Sequence, residues 1–474
     1  MTDISEELDH LRAENSRLKA YINSVNATSN GSLSNSEPSE PSNYETTHHH
    51  MWDGIGHGLN REQVGRYSRQ IILPHFGISA QAKLCNGSVL VIGAGGLGSP
   101  AAIYLAAAGV GRIGIVDKDT VELSNIHRQV IHTEASVGTH KADSAATFIK
   151  SLNSSVKIEI FKNGFTPENA VDLVSNFDVI LDASDNAPTR YLISDACCVA
   201  HKPLVSGAAI GTDGQLTVYC HGEDGPCYRC LFPTAPLPQS CSRCVDAGVL
   251  GVVPGIIGTM QALEAIKILS GVGQPMSRKL LIMDSLSSRF HVVTLRAKST
   301  ACSSCGESAE ITAENLKDYD YAAFTGQVSN DAAPAPLQLI KKEERITPAE
   351  LHAKLDSDSR ERKSSSPTSA PVVVLDVRPP EQFAICHLPG AVNTPWKVFD
   401  KHIDAIKERV SSSNIHGMKE PAPGVGELYV VCRRGNDSQR AVARLRELGM
   451  DHAVDMVGGM EAWGKEIDPT FPVY

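Results

Sequence analysis

The chain has 474 residues, a formal net charge of −10 and an isoelectric point near 5.9. That length allows two or three domains, and the acidic balance argues against a nucleic-acid backbone as a direct partner. No apolar run of about eighteen residues and no basic stretch leading into an apolar core is visible, so neither a membrane span nor a secretory signal is expected.

In chain order, Ile4, Leu8, Leu11, Asn15, Leu18 and Ile22 recur at spacings of four and three, which predicts a heptad helix over residues 1–25. An asparagine in such a seam can fix the register of a dimeric coiled coil, and a frayed single helix is the equal alternative at this length. Residues 26–58, rich in Ser, Asn, Glu, Pro and Thr, read as a disordered linker, and the His48–His50 run is assigned no function.

A globular α/β domain is predicted over 59–310. It opens with a helix capped by Asn60 and carrying Arg66 and Arg69, which read as ordinary surface charges. The apolar run Val89–Ile92 predicts a buried strand, followed by the turn Gly93-Ala-Gly95-Gly96-Leu-Gly98, a tightly packed helix over Ser99–Ala108, and a second strand Ile113–Val116 ending on Asp117. Strand, glycine turn, helix, strand and terminal acid make a nucleotide-binding unit. The backbone can approach phosphates at the turn, the helix N-terminus favours negative charge, and the acid accepts hydrogen bonds from a ribose. A nicotinamide-dependent oxidoreductase would show the same turn. It would have no evident need for the polar groups and cation that follow at Ser124, Asn125 and Arg128, whereas an enzyme that stabilises a triphosphate and its transition state would.

Lys141 falls in a helical run, 138–152. A further strand, Val179–Leu181, leads into Asp182-Ala-Ser-Asp185-Asn186, at the edge where such sheets bind ligands. ATP chemistry requires Mg²⁺, which is held by one or two carboxylates plus phosphates, and Asp185 is the candidate ligand with Asn186 beside the nucleotide. Capping of the next helix is the competing role, stronger for Asp182 than for Asp185. Strands at 203–207 and 215–219 complete the sheet.

Twelve cysteines in so long a chain point to metal binding and thiol chemistry in a reducing compartment, the cytosol, rather than to structural disulfides. The hooks Cys227-x-x-Cys230 and Cys302-x-x-Cys305 supply four thiolates suited to a closed tetrahedral Zn²⁺ site. Their separation leaves the pairing open, with a redox CxxC or two disulfides as alternatives. Between them lie a proline-rich stretch, 226–240, read as a loop, and a third pair, Cys241-Ser-Arg-Cys244. The apolar run 255–271 reads as core.

Arg66-Tyr-Ser-Arg69-Gln70, the glycine turn, Asp117, Ser124-Asn125-x-x-Arg128, Lys141 and Asp185-Asn186 together resemble the adenylating enzymes for ubiquitin-like proteins, the E1-like family. That resemblance runs to about Gly306. It implies ATP contacts from Gly96, Asp117, Ser124, Asn125, Arg128, Lys141, Asp185 and Asn186. It also implies Arg69 on the terminal phosphates, in its own site or a homodimer partner's, one structural Zn²⁺ per chain on the four hook cysteines, and Cys244 as a reactive thiol.

Residues 311–345 read as a linker with little pattern, and a second small α/β domain is expected over 346–474. Thr347-Pro-Ala-Glu350 resembles a capped helix start, 356–370 is a polar insertion, and Val372–Leu375 predicts a buried strand leading to Asp376-Val-Arg378. A strand over Leu428–Val431 runs into Cys432-Arg-Arg-Gly-Asn-Asp-Ser438, with a helix expected from Gln439. Backbone amides wrapped around a cysteine at a helix N-terminus are expected to lower its pKa and stabilise an anionic terminal sulfur. The set, with His387-x-Pro-Gly390-Ala-x-Asn393 and Gly458-Gly459-x-x-x-Trp463, resembles the rhodanese sulfurtransferase domain.

A chain joining the two resembles the fused adenylyltransferase–sulfurtransferases of molybdenum cofactor synthesis and tRNA thiolation. The resemblance implies that ATP activates the C-terminal glycine of a small ubiquitin-like carrier, namely the small subunit of molybdopterin synthase or the ubiquitin-related modifier. A persulfide on Cys432, loaded by a cysteine desulfurase or another donor, would then supply sulfur, and Cys244 would release the thiocarboxylate. A non-catalytic binding protein would keep the fold and lose these thiols and phosphate ligands. Carrier-dependent ATP–pyrophosphate exchange separates it, and the oxidoreductase, from an adenylating enzyme.

Overall fold

The computed structural model describes residues 56–235, 248–327, 337–361, 372–411 and 427–474. The expected heptad helix, nearly all of the 26–58 linker, and Cys241 and Cys244 lie outside the described residues. The chain divides between Gly58 and Leu59, and the residues from Leu59 onward carry two separate sheets.

The first sheet consists of β1 (Ser88–Ile92), β2 (Arg112–Val116), β3 (Lys157–Phe161), β4 (Val179–Asp182), β5 (Leu204–Ile210), β6 (Asp213–Tyr219), β7 (Lys279–Asp284) and β8 (Arg289–Thr294). Their order is β3-β2-β1-β4-β5-β6-β7-β8, parallel through β5 and antiparallel beyond it. β1 is buried throughout, as its unbroken apolar run requires of a central parallel strand. With β2 on one side and β4 on the other, it marks the point where the strand order reverses, which is where ligands bind in such sheets.

Small residues allow the helix Gly98–Ala108 to pack tightly. A Cβ on Gly98 would fall 1.8 Å from the Gly93 carbonyl oxygen, and one on Gly258 would fall 2.1 Å from that of Leu97. Gly258 belongs to the helix Val252–Ser270, which at 19 residues and a mean hydropathy of 1.4 is long and apolar enough to cross a membrane, contrary to the expectation that no such run exists. It serves as a core helix here. Val253, Ile257, Ala262 and Ala265 are buried, and Gln261 Nε2 donates to the Asp182 and Val205 carbonyls at 2.7 and 3.2 Å.

The second sheet contains β9 (Arg345–Ile346), β10 (Val372–Asp376), β11 (Val392–Asn393), β12 (Glu427–Val431) and β13 (Ala453–Met456), all parallel in the order β11-β10-β12-β13-β9. Thr347 and Glu350 form the expected reciprocal cap, and the helix they open, Pro348–Glu361, takes in the start of the supposed insertion.

Several expected boundaries move. The first domain does not stop at 310: Ile311, Leu316 and Tyr321 share a core with Tyr191 and Ile180, and Tyr321–Thr325 is a short helix. The second begins before 346, because the Leu337 and Leu339 amides donate to the side chains of Asn436 and Gln439. The described residues of the supposed linker, 311–327 and 337–345, are therefore committed to one domain or the other. Within the proline-rich loop, Tyr228–Leu231 is helical, and the run 138–152 becomes helical only at Lys141, after Gly138 turns at φ +85°.

Candidate active sites and metal centre

The register brings the strand ends of the first sheet level. Ile92 pairs with both Val116 and Asp182, so Gly93, Asp117 and Ala183 leave their strands side by side. Gly93 lies at φ +102°, and a Cβ there would meet the Ala183 carbonyl oxygen at 2.6 Å, so only glycine fits the turn. The Asp117 carboxylate ties this edge together. Its Oδ2 accepts from the Ala94 amide at 2.7 Å and its Oδ1 from the Asp119 amide at 2.9 Å. Burial pushes its pKa up, against the opposing charge of Lys141 and those two amides. Lys141, buried in the first turn of the helix Lys141–Leu152, places Nζ 3.2 Å from Asp119 Oδ2.

Ser124 and Asn125 lie in one 3₁₀ turn, and Arg128 folds back on it. Its Nη2 donates to Asn125 Oδ1 at 2.7 Å and its Nη1 to the Ser124 carbonyl at 3.3 Å. A Cβ on Gly96 would lie 3.5 Å from the Arg128 carbonyl oxygen, which puts this segment against the glycine turn. Asp185 is exposed, and Asn186 Nδ2 donates to it at 3.3 Å. The cap of the helix Ala187–Val199 is Asn186, which accepts from the Thr189 amide, and not Asp182. Asp182 is wholly buried instead, accepting from Ser184 and Ser206, with Arg190 Nε at 3.6 Å. Arg69 is exposed on the helix Arg61–Ile71, and no hydrogen bond or ion pair among the described residues ties it to this set.

Sequence reasoning missed the groups beneath the turn. His132 is buried, with Nε2 2.9 Å from the Ala94 carbonyl and Nδ1 2.9 Å from Ser144 Oγ, and burial holds its pKa below the usual range. Arg190 donates to the Ser184 and Gly207 carbonyls as well as facing Asp182. No motif marks either residue. Each becomes visible only when separated strands are brought together.

The two cysteine hooks, which spacing left unpaired, meet. The sulfurs of Cys227, Cys230, Cys302 and Cys305 all lie within 4.8 Å of one another, with Cys227–Cys302 at 3.5 Å and Cys230–Cys305 at 3.3 Å. Four sulfurs about 2.3 Å from one tetrahedral Zn²⁺ would stand roughly 3.8 Å apart, so the cluster fits that ion after small adjustments. Arg229, inside the first hook, anchors it. The guanidinium is buried in a bidentate pair with Asp195, which also accepts from Tyr321 Oη at 2.9 Å, and it faces the rings of Tyr191, Tyr319 and Phe324. Chelation of the metal or Cys302→Ser is therefore expected to lower the melting temperature by roughly 10 °C or more, since each kcal/mol is worth about 2–4 °C in a domain of this size. Metal analysis and thermal melting check this. A zinc-free chain with unchanged melting and activity would return the hooks to the redox reading.

In the second sheet, Cys432 directly follows the central strand β12 and is 4 % exposed. The Gly435 amide donates to its sulfur at 3.1 Å, and Ser438 Oγ lies at 3.2 Å. Gly435 turns at φ +83°, and the helix begins at Asp437, two residues before the position expected. The predicted depression of the thiol pKa is not found. Burial pushes the Cys432 thiol up, Asp437 adds to the rise, and the Ser438 and Arg434 donors oppose it without overcoming it. The nest of amides is present, but the sulfur it surrounds is dry.

The neighbouring strand end is densely hydrogen-bonded. Arg378 is buried and forks onto Asp376, Asn393 Nδ2 donates to the Asp376 and Arg378 carbonyls, and the Val377 amide donates to the Val431 carbonyl at 2.9 Å.

Residues 67–304 match the model of the ThiF family, and residues 348–466 match that of the rhodanese-like domain. The fold and its two sites thus define an enzyme that joins an E1-like adenylating domain to a sulfurtransferase domain. Adenylyltransferase and sulfurtransferase MOCS3 of Arabidopsis thaliana is 47% identical over 424 residues, which is 89% of this chain and 87% of that protein. MOCS3-1 of Zea mays is 47% identical over 88% of this chain and 84% of its own length, and MOCS3 of Culex quinquefasciatus is 44% identical over 88% and 90%. The chain belongs to this family of MOCS3 adenylyltransferases and sulfurtransferases.

Proposed function

We propose that this chain converts the C-terminal carboxylate of a ubiquitin-like sulfur carrier into a thiocarboxylate, using ATP at the first sheet and a persulfide on Cys432 at the second. The carboxylate attacks the α-phosphorus of ATP and pyrophosphate leaves, giving an acyl-adenylate. The terminal sulfur of the Cys432 persulfide then attacks the acyl carbon and expels AMP, leaving an acyl disulfide. The Cys244 thiolate attacks the Cys432 sulfur, so that the thiocarboxylate departs with the electron pair, and a dithiol reduces the resulting Cys244–Cys432 disulfide.

Within this scheme Asp117 holds the ribose, while Arg128, Lys141 and Arg69 face the phosphates, Arg69 acting within one protomer or across a homodimer. Ser124, Asn125, Asn186 and the Gly96 backbone line the nucleotide. Mg²⁺, held by the exposed Asp185 and the phosphates, would neutralise charge on the triphosphate. The observation that carries the reading is the pairing in one chain of a cation-bearing strand edge, Asp117–Arg128–Lys141, with a dry thiol enclosed by amide and hydroxyl donors.

One zinc per chain, a cysteine desulfurase as donor and a cytosolic setting complete the proposal. So do carriers that serve molybdenum cofactor synthesis and, further on, tRNA thiolation. The test is mass spectrometry of full-length protein quenched after mixing with ATP, carrier and a sulfur donor. Carrier linked through two sulfurs to the Cys432 peptide is the expected species. Thiocarboxylate formed with no such adduct, in the presence of Cys244→Ala to slow release, would remove the scheme.

A further inference from the structure

The Cys432 loop is fastened at two places, one of which lies far along the chain. On one side the helix Gly459–Glu466 receives it: the Met460 amide donates to the Cys432 carbonyl at 2.8 Å and the Glu461 amide to the Arg433 carbonyl at 3.0 Å. The Glu461 carboxylate accepts from Nε of both Arg433 and Arg434, at 3.0 and 2.8 Å. Both arginine side chains are thereby drawn to Glu461, while the Gly435 amide is left directed at the sulfur.

The second fastening is Tyr474. Its ring lies 5.0 Å from the Arg433 guanidinium carbon, and Arg433 Nη2 donates to its backbone oxygen. Its hydroxyl accepts from Arg378 Nη1 at 2.8 Å. Arg378 is itself fixed, because it forks onto Asp376 and gives its Nη2 to the Cys386 carbonyl at 2.6 Å. The segment that delivers Tyr474 is also held. Gly464 has no Cβ where Val473 Cγ2 would meet it at 2.8 Å, and Phe471 packs on the core beneath. One side chain thus joins the residue next to Cys432 to the hydrogen-bonded end of the adjacent strand.

We propose that Tyr474 is a positioning residue for sulfur transfer: it pins Arg433 between itself and Glu461, and so keeps the Cys432 loop closed around an anionic sulfur donor. The proposal rests on the reading of Cys432 as the sulfur carrier. With thiosulfate as donor, Cys432 attacks the outer sulfur, the S–S bond breaks, and sulfite leaves with its electron pair. Cyanide then removes the terminal sulfur as thiocyanate and restores the thiolate. A loop whose amides and arginine are fixed in advance binds the dianion without first being ordered, so its loosening acts on binding more than on bond exchange.

Full-length protein is assayed for sulfur transfer from thiosulfate to cyanide as wild type, Tyr474→Leu, Tyr474→Phe and Cys432→Ala. Tyr474→Leu removes both ring and hydroxyl and is expected to raise the KM for thiosulfate roughly tenfold with kcat changed less than about threefold. Tyr474→Phe keeps the ring over Arg433 but loses the link to Arg378, so it should recover only part of that loss. ATP–pyrophosphate exchange should be unchanged in both. A wild-type KM in Tyr474→Leu overturns the inference. So does a fall in kcat at constant KM with a lowered melting temperature, which is the mark of a merely structural contact. Transfer retained by Cys432→Ala would instead overturn the underlying reading of Cys432.

Discussion

Cys432→Ala is expected to abolish sulfur transfer from any donor and stop thiocarboxylate formation, while carrier-dependent ATP–pyrophosphate exchange stays at the wild-type level. In the proposed scheme the nucleotide-binding groups Asp117, Arg128 and Lys141 gather at the strand ends of the first sheet, whereas Cys432 follows β12 of the second. The substitution also leaves the fold little reason to fail, because alanine replaces a small buried side chain whose polar contacts are the amides and one hydroxyl of its own loop. If exchange vanished along with transfer, the two chemistries would not divide between the domains as described.

The same thiol sets a pH dependence, and its sign follows from burial. A cysteine whose pKa is raised is mostly protonated at neutral pH, so the thiolate fraction, and with it the rate of attack on thiosulfate, should climb nearly tenfold per pH unit into the alkaline range. A depressed pKa, as the loop pattern alone suggests, would give a flat profile above about pH 7.5. Initial rates between pH 6 and 10 distinguish the two.

That difference shows what the sequence carries and what it does not. β1, the glycine turn and Asp117 are legible because each is local: an apolar run, an obligatory positive φ, an acid at a strand end. The cysteine hooks are legible as chemistry but not as a pair, since 75 residues separate Cys227 from Cys302 and only the fold closes that distance. The Cys432 loop is legible as a nest of amides, but not the burial of its cysteine or the packing of Gly458, Gly459 and the helix after them, from another part of the chain, against the backbone of Cys432, Arg433 and Gly435. β8 escaped notice for the opposite reason. Its residues are exposed along their whole length, so no inward-facing side marks it as a strand. The expected linker failed because composition cannot see that Tyr321 donates to Asp195, or that Leu337 is held by Asn436.

Arg128→Ala is expected to lower carrier-dependent ATP–pyrophosphate exchange by on the order of a hundredfold or more, the loss usual when one fixed charge-stabilising donor is taken from a reacting centre. The guanidinium is set in advance by Asn125 Oδ1 and the Ser124 carbonyl, so no ordering is needed when negative charge develops on the phosphates. It is also only half-buried, and those contacts lie within its own turn, so its removal should cost little stability. Asp117→Ala should behave differently. That carboxylate holds the Ala94 and Asp119 amides and would meet the ribose rather than the reacting phosphate, so the effect should fall mainly on the KM for ATP. Measuring exchange against ATP concentration for both variants separates the roles. Near wild-type kcat in Arg128→Ala would mean that the charge at the α-phosphate is met elsewhere, with Lys141, buried beside Asp119, as the next cation to test and Arg69 after it.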